Sequence, residues 1–448
     1  MNNNESKIAV RYPPSPTGNL HIGNIRSLLF NYLFAKHNGG EIYMRFEDTD
    51  RERSKKEYEQ VALDSLEALG LTFDHGPYRQ SERGEMYSKA IQQLIEQGNA
   101  YEGEESKDGS GDKIIRFKNP NKNITFTDAV RGEITIDTTD FGDFVIARSI
   151  SNPLYHLTVV VDDIDMHITH IIRGEDHITS TPRQILLIEA LSGTVPNYAH
   201  LPLIVGSDKK KLGKRHGAVS YKEFAELGYL PEAIINYLAL LGWNASDDKE
   251  FYTMTELIEE FTLDGVHKAP AMFSYEKLDS INKHHLLQIS DAVFKKTARE
   301  CLTDEVRNFI NSTDAAVNEL ILNTVIRERI NKWSDIKDVC NTELGWLDTV
   351  KSIDSTKVVW KKSTAEETKK HLSKTLTILS KLNDDGWTEK TIKDALWPYA
   401  EEVGKGDVLW PMRYSLTGQE RSPDPFTVAF ILGKKETIDR IDSSVKSM

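Results

Sequence analysis

Apolar positions near the N-terminus alternate between two spacings. KIAVRYP at 7–13 reads as a short buried strand, and from Ile22 onward Ile22, Ile25, Leu28, Leu29, Tyr32 and Leu33 keep helical spacing until HNGG stops it. EIYMRFED at 41–48 alternates as a second strand, and 54–70 repeats a helical period ending at Gly70. Strand, turn and helix recurring in this order predict a parallel sheet with helices on both faces.

Beyond Tyr101 the style changes. A polar, Gly-rich loop, GEESKDGSGDK, is followed by IIRFK, ITFTDAV, GEITI and FVIAR, a series of short strands that reads as a small insertion. The strand–helix alternation resumes with LTVVVDD and HITHIIRGED, the helix STPRQILLIEAL starting at Ser180, and the strand HLPLIVG. From Tyr221 strand signals fade. LPEAIINYLALLGW is a strongly apolar helix with Pro231 at its start, and the remainder is mostly helical with no repeat of fixed period. The expected division is 1–100 and 153–218 as two halves of one sheet domain, 101–152 as the insertion, then 219–290 and 291–448, the last admitting a split near 365.

Composition narrows the class. The 448 residues carry 56 Lys+Arg against 69 Asp+Glu, a net charge of −13, which argues against a chain that coats nucleic acid indiscriminately. Positive charge is instead local: DKKKLGKR at 208–215 holds five cations and one anion. The two cysteines, Cys301 and Cys340, match no zinc or redox spacing, so a reducing, cytoplasmic setting is expected. The polar N-terminus carries no signal core, and no run approaches the roughly eighteen apolar residues of a membrane span.

The candidate chemistry lies in RYPPSPTGNLHIGNIR, 11–26. Pro13, Pro14 and Pro16 fix the path of a strand-to-helix bend, while Gly18 and Gly23 let a ligand approach the backbone. His21 precedes the helix, where backbone N–H groups and the helix dipole favour phosphate. Lys211 and Lys214, on a loop with Gly213, are spaced to clamp a triphosphate and to stabilise charge on a pyrophosphate leaving group. Taken singly, the first motif is also compatible with an ordinary turn and the second with a solvated lysine run.

Together the motifs, HIGN and KLGKR, resemble the two signatures of class I aminoacyl-tRNA synthetases. Five segments, SPTGNLHIGNIRSLLFNYLFAKHNGG, RFEDTDRERS, VVVDDIDMHITHIIRGEDHITSTPRQ, KLGKRHGAVS and LPEAIINYLALLGW, extend the likeness over nearly the whole chain to the glutamyl-tRNA synthetases. The resemblance implies a Rossmann-like doubly wound parallel sheet with a small α+β insertion, followed by a largely helical anticodon-binding region. It implies adenylation of glutamate by ATP with Mg²⁺, then transfer to the terminal ribose hydroxyl of tRNA-Glu, or of tRNA-Gln as well. His21, Lys211 and Lys214 would be catalytic. Gly18, Gly23 and Arg215 would join them around ATP, and Arg11, Ser15, Glu47, Tyr155 and Arg173 would line the glutamate pocket. In that pocket Arg11 and Arg173 would take the substrate carboxylate and Glu47 the ammonium.

Magnesium would ride on the ATP phosphates, with no protein metal site, and Asp48 and Asp50 of EDTD are expected to cap the following helix. Some relatives hold zinc through cysteines in the insertion, where this chain has none. A monomer is expected. The chain departs from the family pattern at Gly213, where Ser is usual, at Ile164, where His is common, at His167, where Gly is usual, and in a shortened insertion. A glutaminyl-tRNA synthetase, a shorter tRNA-modifying paralogue, a non-catalytic tRNA-binding relative and a small-molecule adenylating enzyme are the competing readings. The helical C-terminal region disfavours the first two, the retained His21, Lys211 and Lys214 the third, and the long tail the fourth.

Overall fold

Three parallel strands, β1 (Ala9–Tyr12), β2 (Glu41–Phe46) and β3 (His75–Arg79), form one ladder in the order β1-β2-β3, joined by helices α1 (Ile22–His37) and α2 (Lys56–Ala68). The computed structural model describes residues 7–104, 113–217, 220–245, 248–347, 353–361 and 363–448. They fall into two compact units, 1–282 and 283–448. Every residue of β1 is buried, as expected of a strand covered on both faces.

After α3 (Gly84–Glu96) come β4 (Ala100–Glu104), β5 (Lys113–Phe117), β6 (Asn123–Asp128), β7 (Gly132–Asp137), β8 (Phe144–Ser149) and β9 (Asn152–Pro153). These strands divide between two sheets. β4, β5, β8 and β9 form an antiparallel sheet of their own, whereas the β6–β7 hairpin meets β11 (Asn197–Leu201), which pairs in parallel with β10 (His170–Gly174). β1 stands beside the start of β10: Thr169 N donates to Ala9 O over 2.9 Å, and Ala9 N donates to Thr169 Oγ1 over 2.9 Å.

Alternate sheet residues face two cores. Val10, Ile172 and Ala199 pack with α1, α7 (Pro231–Leu240) and α8 (Met254–Glu260), while Ala9, Ile171 and Tyr198 pack with α3, α4 (Tyr155–Asp165) and α5 (Thr181–Ala190). In α1 the side chains of Ile25, Leu28, Leu29 and Leu33 are all but fully buried, each contributing about 1.5–3 kcal/mol.

Two local expectations are corrected. LTVVVDD, taken with the strand segments, is helical in α4: residues 157–163 are all buried, so the run has no exposed face to give it a period, and packing overrides the β preference of three valines. HLPLIVG is two strands. Pro202 lacks the N–H a ladder needs, so β11 ends at Leu201 and β12 (Ile204–Val205) pairs instead with β13 (Ala271–Met272). Short α6 (Tyr221–Glu226) opens with a capping box at Ser220, and α9 (Tyr275–Gln288) leads into the second unit.

Among its described residues the second unit contains no strand. Helices Ala365–Ser380, Glu389–Val403, Lys405–Thr417 and Pro425–Ser447 pack together around Leu372, Leu379, Leu396, Met412 and Ile441. Cys301 and Cys340 are free. Among the described residues no helix is long and apolar enough to cross a membrane.

Candidate active site

The bend between β1 and α1 is held by backbone hydrogen bonds, one within it and two from the connection between β2 and α2. Thr17 N donates to Ser15 O over 2.9 Å, Glu47 N to Pro14 O over 3.0 Å and Lys55 N to Pro16 O over 3.1 Å. His21 is the N-cap of α1, and its Nδ1 accepts from Gly23 N over 3.1 Å. That bond places the ring hydrogen on Nε2. Burial, reinforced by Lys211, lowers the His21 pKa, so the ring stands as a neutral donor beside the first turn of the helix.

Arg11, Ser15, Gly18, His21, Gly23, Glu47, Tyr155, Arg173 and Lys211 line one cavity of about 1000 Å³. The basic loop is turned toward it: Gly206 N donates to Lys210 O over 2.9 Å, Leu212 N to Ile204 O over 2.9 Å, and Ser220 beyond the loop forms an antiparallel bridge with His21. Lys211 donates to Asp176 over 2.9 Å. Arg215 is not brought in; its guanidinium lies 3.5 Å from Asp208 on the loop itself. The backbone of Lys214 lies in the turn Lys214–His216, but its side chain lies outside the described residues.

Around Arg11 and Glu47 of the cavity wall, charges are paired in depth. Arg45, fully buried, is 2.9 Å from Asp163, 3.4 Å from Asp162 and 3.5 Å from Glu47, and Arg11 is 3.4 Å from Asp163. Burial opposes the Arg45 charge, but Asp163, Asp162 and Glu47 outweigh it and raise its pKa. Asp162 accepts from Gln80 (2.8 Å), Arg83 (2.7 Å) and Tyr87 (3.0 Å). In Glu47 burial pushes the carboxyl up to about 7, against the pull of Arg45 and Arg11, and its buried Oε1 has no hydrogen-bond partner.

Arg173 differs. Its three hydrogen bonds go to neutral groups, and among the described residues no carboxylate lies within 4 Å. Burial, then Arg11, lowers its pKa. This cation retains two uncommitted N–H groups and is stabilised by any anion entering the cavity. Sequence reasoning singled out neither its supports nor Arg45, Asp162, Asp163, Asp176, His177 and His200. His177 also lines the cavity, and burial, then Arg173, pushes its pKa down to about 4. RGEDH was the available signal for Asp176 and His177; Asp162 and Asp163, which pair with Arg45, are far from it in sequence.

EDTD is corrected as well. Helix α2 starts without a side-chain cap; Asp50 accepts from Arg53 N (3.3 Å) and Nε (2.6 Å), and Asp48 accepts from Ser81 N over 2.8 Å. Two residues and an intervening turn separate this cluster from the helix start, and the carboxylates find nearer donors. Among the described residues no group of three or more His, Cys, Asp or Glu is placed to hold a metal.

Comparisons with known proteins bear on the family of the chain. Residues 7–109 and 102–280 match the family model of the class I tRNA synthetases (E and Q), catalytic domain, and 287–445 match an anticodon binding domain. The chain is 35% identical to a glutamate--tRNA ligase of Desulforamulus reducens, covering 98% of this chain and 100% of the relative. It is 37% identical to one of Carboxydothermus hydrogenoformans, covering 97% and 99%. A crystal structure of a glutamate tRNA ligase from Elizabethkingia meningosepticum in complex with its amino acid superposes with a TM-score of 0.85 at 30% identity, covering 99% of this chain and 100% of that one.

Proposed function

The chain belongs to the class I tRNA synthetases of the glutamate and glutamine group, and from that premise we propose how its cavity joins L-glutamate to the 3′ end of tRNA-Glu. The enzyme uses ATP as a substrate and passes through glutamyl adenylate. One observation carries the assignment of roles: a single cavity is lined by a neutral histidine, a lysine, a buried arginine with no carboxylate within 4 Å among the described residues, and a buried glutamate whose Oε1 accepts no hydrogen bond.

Glutamate's side-chain carboxylate pairs with Arg173 and Arg11, its ammonium with Glu47, and Ser15 and Tyr155 complete the pocket. MgATP lies along Gly18 and Gly23, with Arg215 reaching it only by movement of the loop. An α-carboxylate oxygen attacks the α-phosphorus; a P–O bond forms as the bond to pyrophosphate breaks. His21 Nε2–H, Lys211 and Lys214 stabilise the charge on the leaving group. The ribose hydroxyl of the tRNA then attacks the activated carbonyl, its proton leaves, and AMP departs. No protein nucleophile is required.

The insertion 101–152 serves the acceptor end, 219–290 the inner stem and 291–448 the anticodon. The enzyme acts as a monomer in the cytoplasm, where charged tRNA is used. Aminoacylation assays with glutamate and glutamine against tRNA-Glu and tRNA-Gln test the reading. Glutamate on tRNA-Glu is the expected product, glutamate on tRNA-Gln as well marks a non-discriminating enzyme, and glutamine on either tRNA overturns it. Omitting tRNA from ATP–pyrophosphate exchange tests the expectation that activation requires it.

A further inference from the structure

Arg173 is gripped entirely by neutral partners. Nε donates to His200 Nε2 over 3.2 Å, Nη1 to Gln184 Oε1 over 2.8 Å and Nη2 to Thr181 Oγ1 over 2.8 Å. His200 is fully buried, and its Nδ1 lies 2.6 Å from Oδ2 of Asp128 at the end of β6. Asp128 is fixed in turn: Oδ1 accepts from Val130 N (3.0 Å) and Arg131 N (2.8 Å), and Oδ2 also accepts from His200 N (3.1 Å).

A carboxylate only accepts, so His200 Nδ1 carries the ring hydrogen and Nε2 offers a lone pair to Arg173. Burial lowers the His200 pKa, consistent with a neutral ring. A carboxylate placed directly on Arg173 would orient it equally well but neutralise it. Setting a neutral imidazole between the two keeps the positive charge for a ligand.

We propose that Asp128 and His200 are positioning residues for amino-acid recognition: Asp128 selects the His200 tautomer whose lone pair aims the Arg173 guanidinium at the substrate carboxylate while leaving its charge uncompensated. The proposal rests on the reading that Arg173 receives that carboxylate. Asp128 belongs to the inserted hairpin, so the insertion contributes to the amino-acid pocket as well as to its own sheet.

The test uses the full chain with tRNA-Glu present, measuring ATP–pyrophosphate exchange with glutamate or ATP varied, alongside thermal melts. In Asp128→Asn the amide puts a hydrogen where Oδ2 stood. His200 must switch tautomer and present N–H to N–H at Arg173. Glutamate KM is expected to rise about 10–100-fold, with ATP KM within about twofold of wild type. His200→Leu, lacking any acceptor, should follow it, and His200→Gln, whose amide oxygen replaces Nε2, should stay within about fivefold of wild type. The proposal is overturned if glutamate KM does not move, if kcat and both KM values shift alike, or if Gln is no better than Leu. Should Asp128→Asn melt far below wild type, the Gln–Leu contrast decides alone. Arg173→Ala separates the two levels. An unchanged glutamate KM there defeats the reading of Arg173; a raised one, with Asp128→Asn and His200→Leu normal, defeats only the positioning role.

Discussion

Lys211 donates to Asp176 over 2.9 Å within the wall of the cavity, and both side chains are substantially exposed, at 64% and 44%. An ion pair this exposed is worth at most about 1 kcal/mol, so a triphosphate readily displaces Asp176. Lys211→Ala should cut tRNA-dependent ATP–pyrophosphate exchange about 10–100-fold, and Lys214→Ala at least about a hundredfold. Asp176→Asn should lower ATP KM by up to about fivefold without changing kcat. A rise in ATP KM in that variant would mean that Asp176 assists ATP rather than competing with it.

Glu47 gives the amino-acid end a pH dependence. Burial raises its carboxyl to about 7, with Arg45 and Arg11 opposing and Asp163 and Asp162 adding to the rise. Only the ionised form holds an ammonium, so below that pKa glutamate binding must expel a proton, and KM should climb about tenfold per pH unit. Glu47→Gln should raise KM at about pH 8 and flatten the slope. The stability effect has the opposite sense. A carboxyl whose folded pKa lies above its usual 4.5 contributes stability below 4.5 that is lost as pH rises through about 7. Melting curves of the variant should lack that component.

His167 closes α4 in the left-handed region, at φ 51°. Its N–H donates to Ile164 O (3.1 Å) and that of Ile168 to Asp163 O (2.9 Å), the pair of bonds that ends a helix where glycine is favoured. His167→Gly should stabilise the chain by about 1 kcal/mol, seen as a Tm higher by a few degrees. A lower Tm would show that the imidazole supplies more than the backbone strain costs.

Two loop glycines should respond oppositely. A Cβ at Gly213 meets nothing within 4 Å, so Gly213→Ser should leave stability unchanged within about 0.5 kcal/mol and keep activity. A Cβ at Gly206 would lie 2.5 Å from the His216 ring, which accepts from Gly213 N over 3.0 Å and reaches Asp208 over 3.1 Å. Gly206→Ala should therefore cost about 1–3 kcal/mol and raise ATP KM by displacing the loop. Equal behaviour of the two variants in melting and exchange assays would refute this.

Local chemistry was legible in the chain wherever one stretch determines one element. The prolines at 13, 14 and 16, the cap at His21 and the amphipathic run from Ile22 specify the bend and α1 without help from elsewhere. What could not be read depends on distant partners. Val159–Val161 look like a strand until α3, α5 and β8 enclose them on every side. Arg45 alternates as any strand residue does, and nothing near it announces that Asp163, 118 residues on, will neutralise it. Asp128 ends an ordinary hairpin strand, and only the β11 register brings it under His200. Asp48 and Asp50 carried the type of residue a cap needs, but the turn places them too early.

The edge shared by Ala9 and Thr169, 160 residues apart, has a consequence for how the molecule is made. At about 5–20 residues per second, a ribosome needs roughly 10–30 s to deliver the second partner after the first. During that interval the opening strand has an uncovered flank, vulnerable to pairing with another nascent chain. Its brevity, four residues, limits the template it offers while it waits.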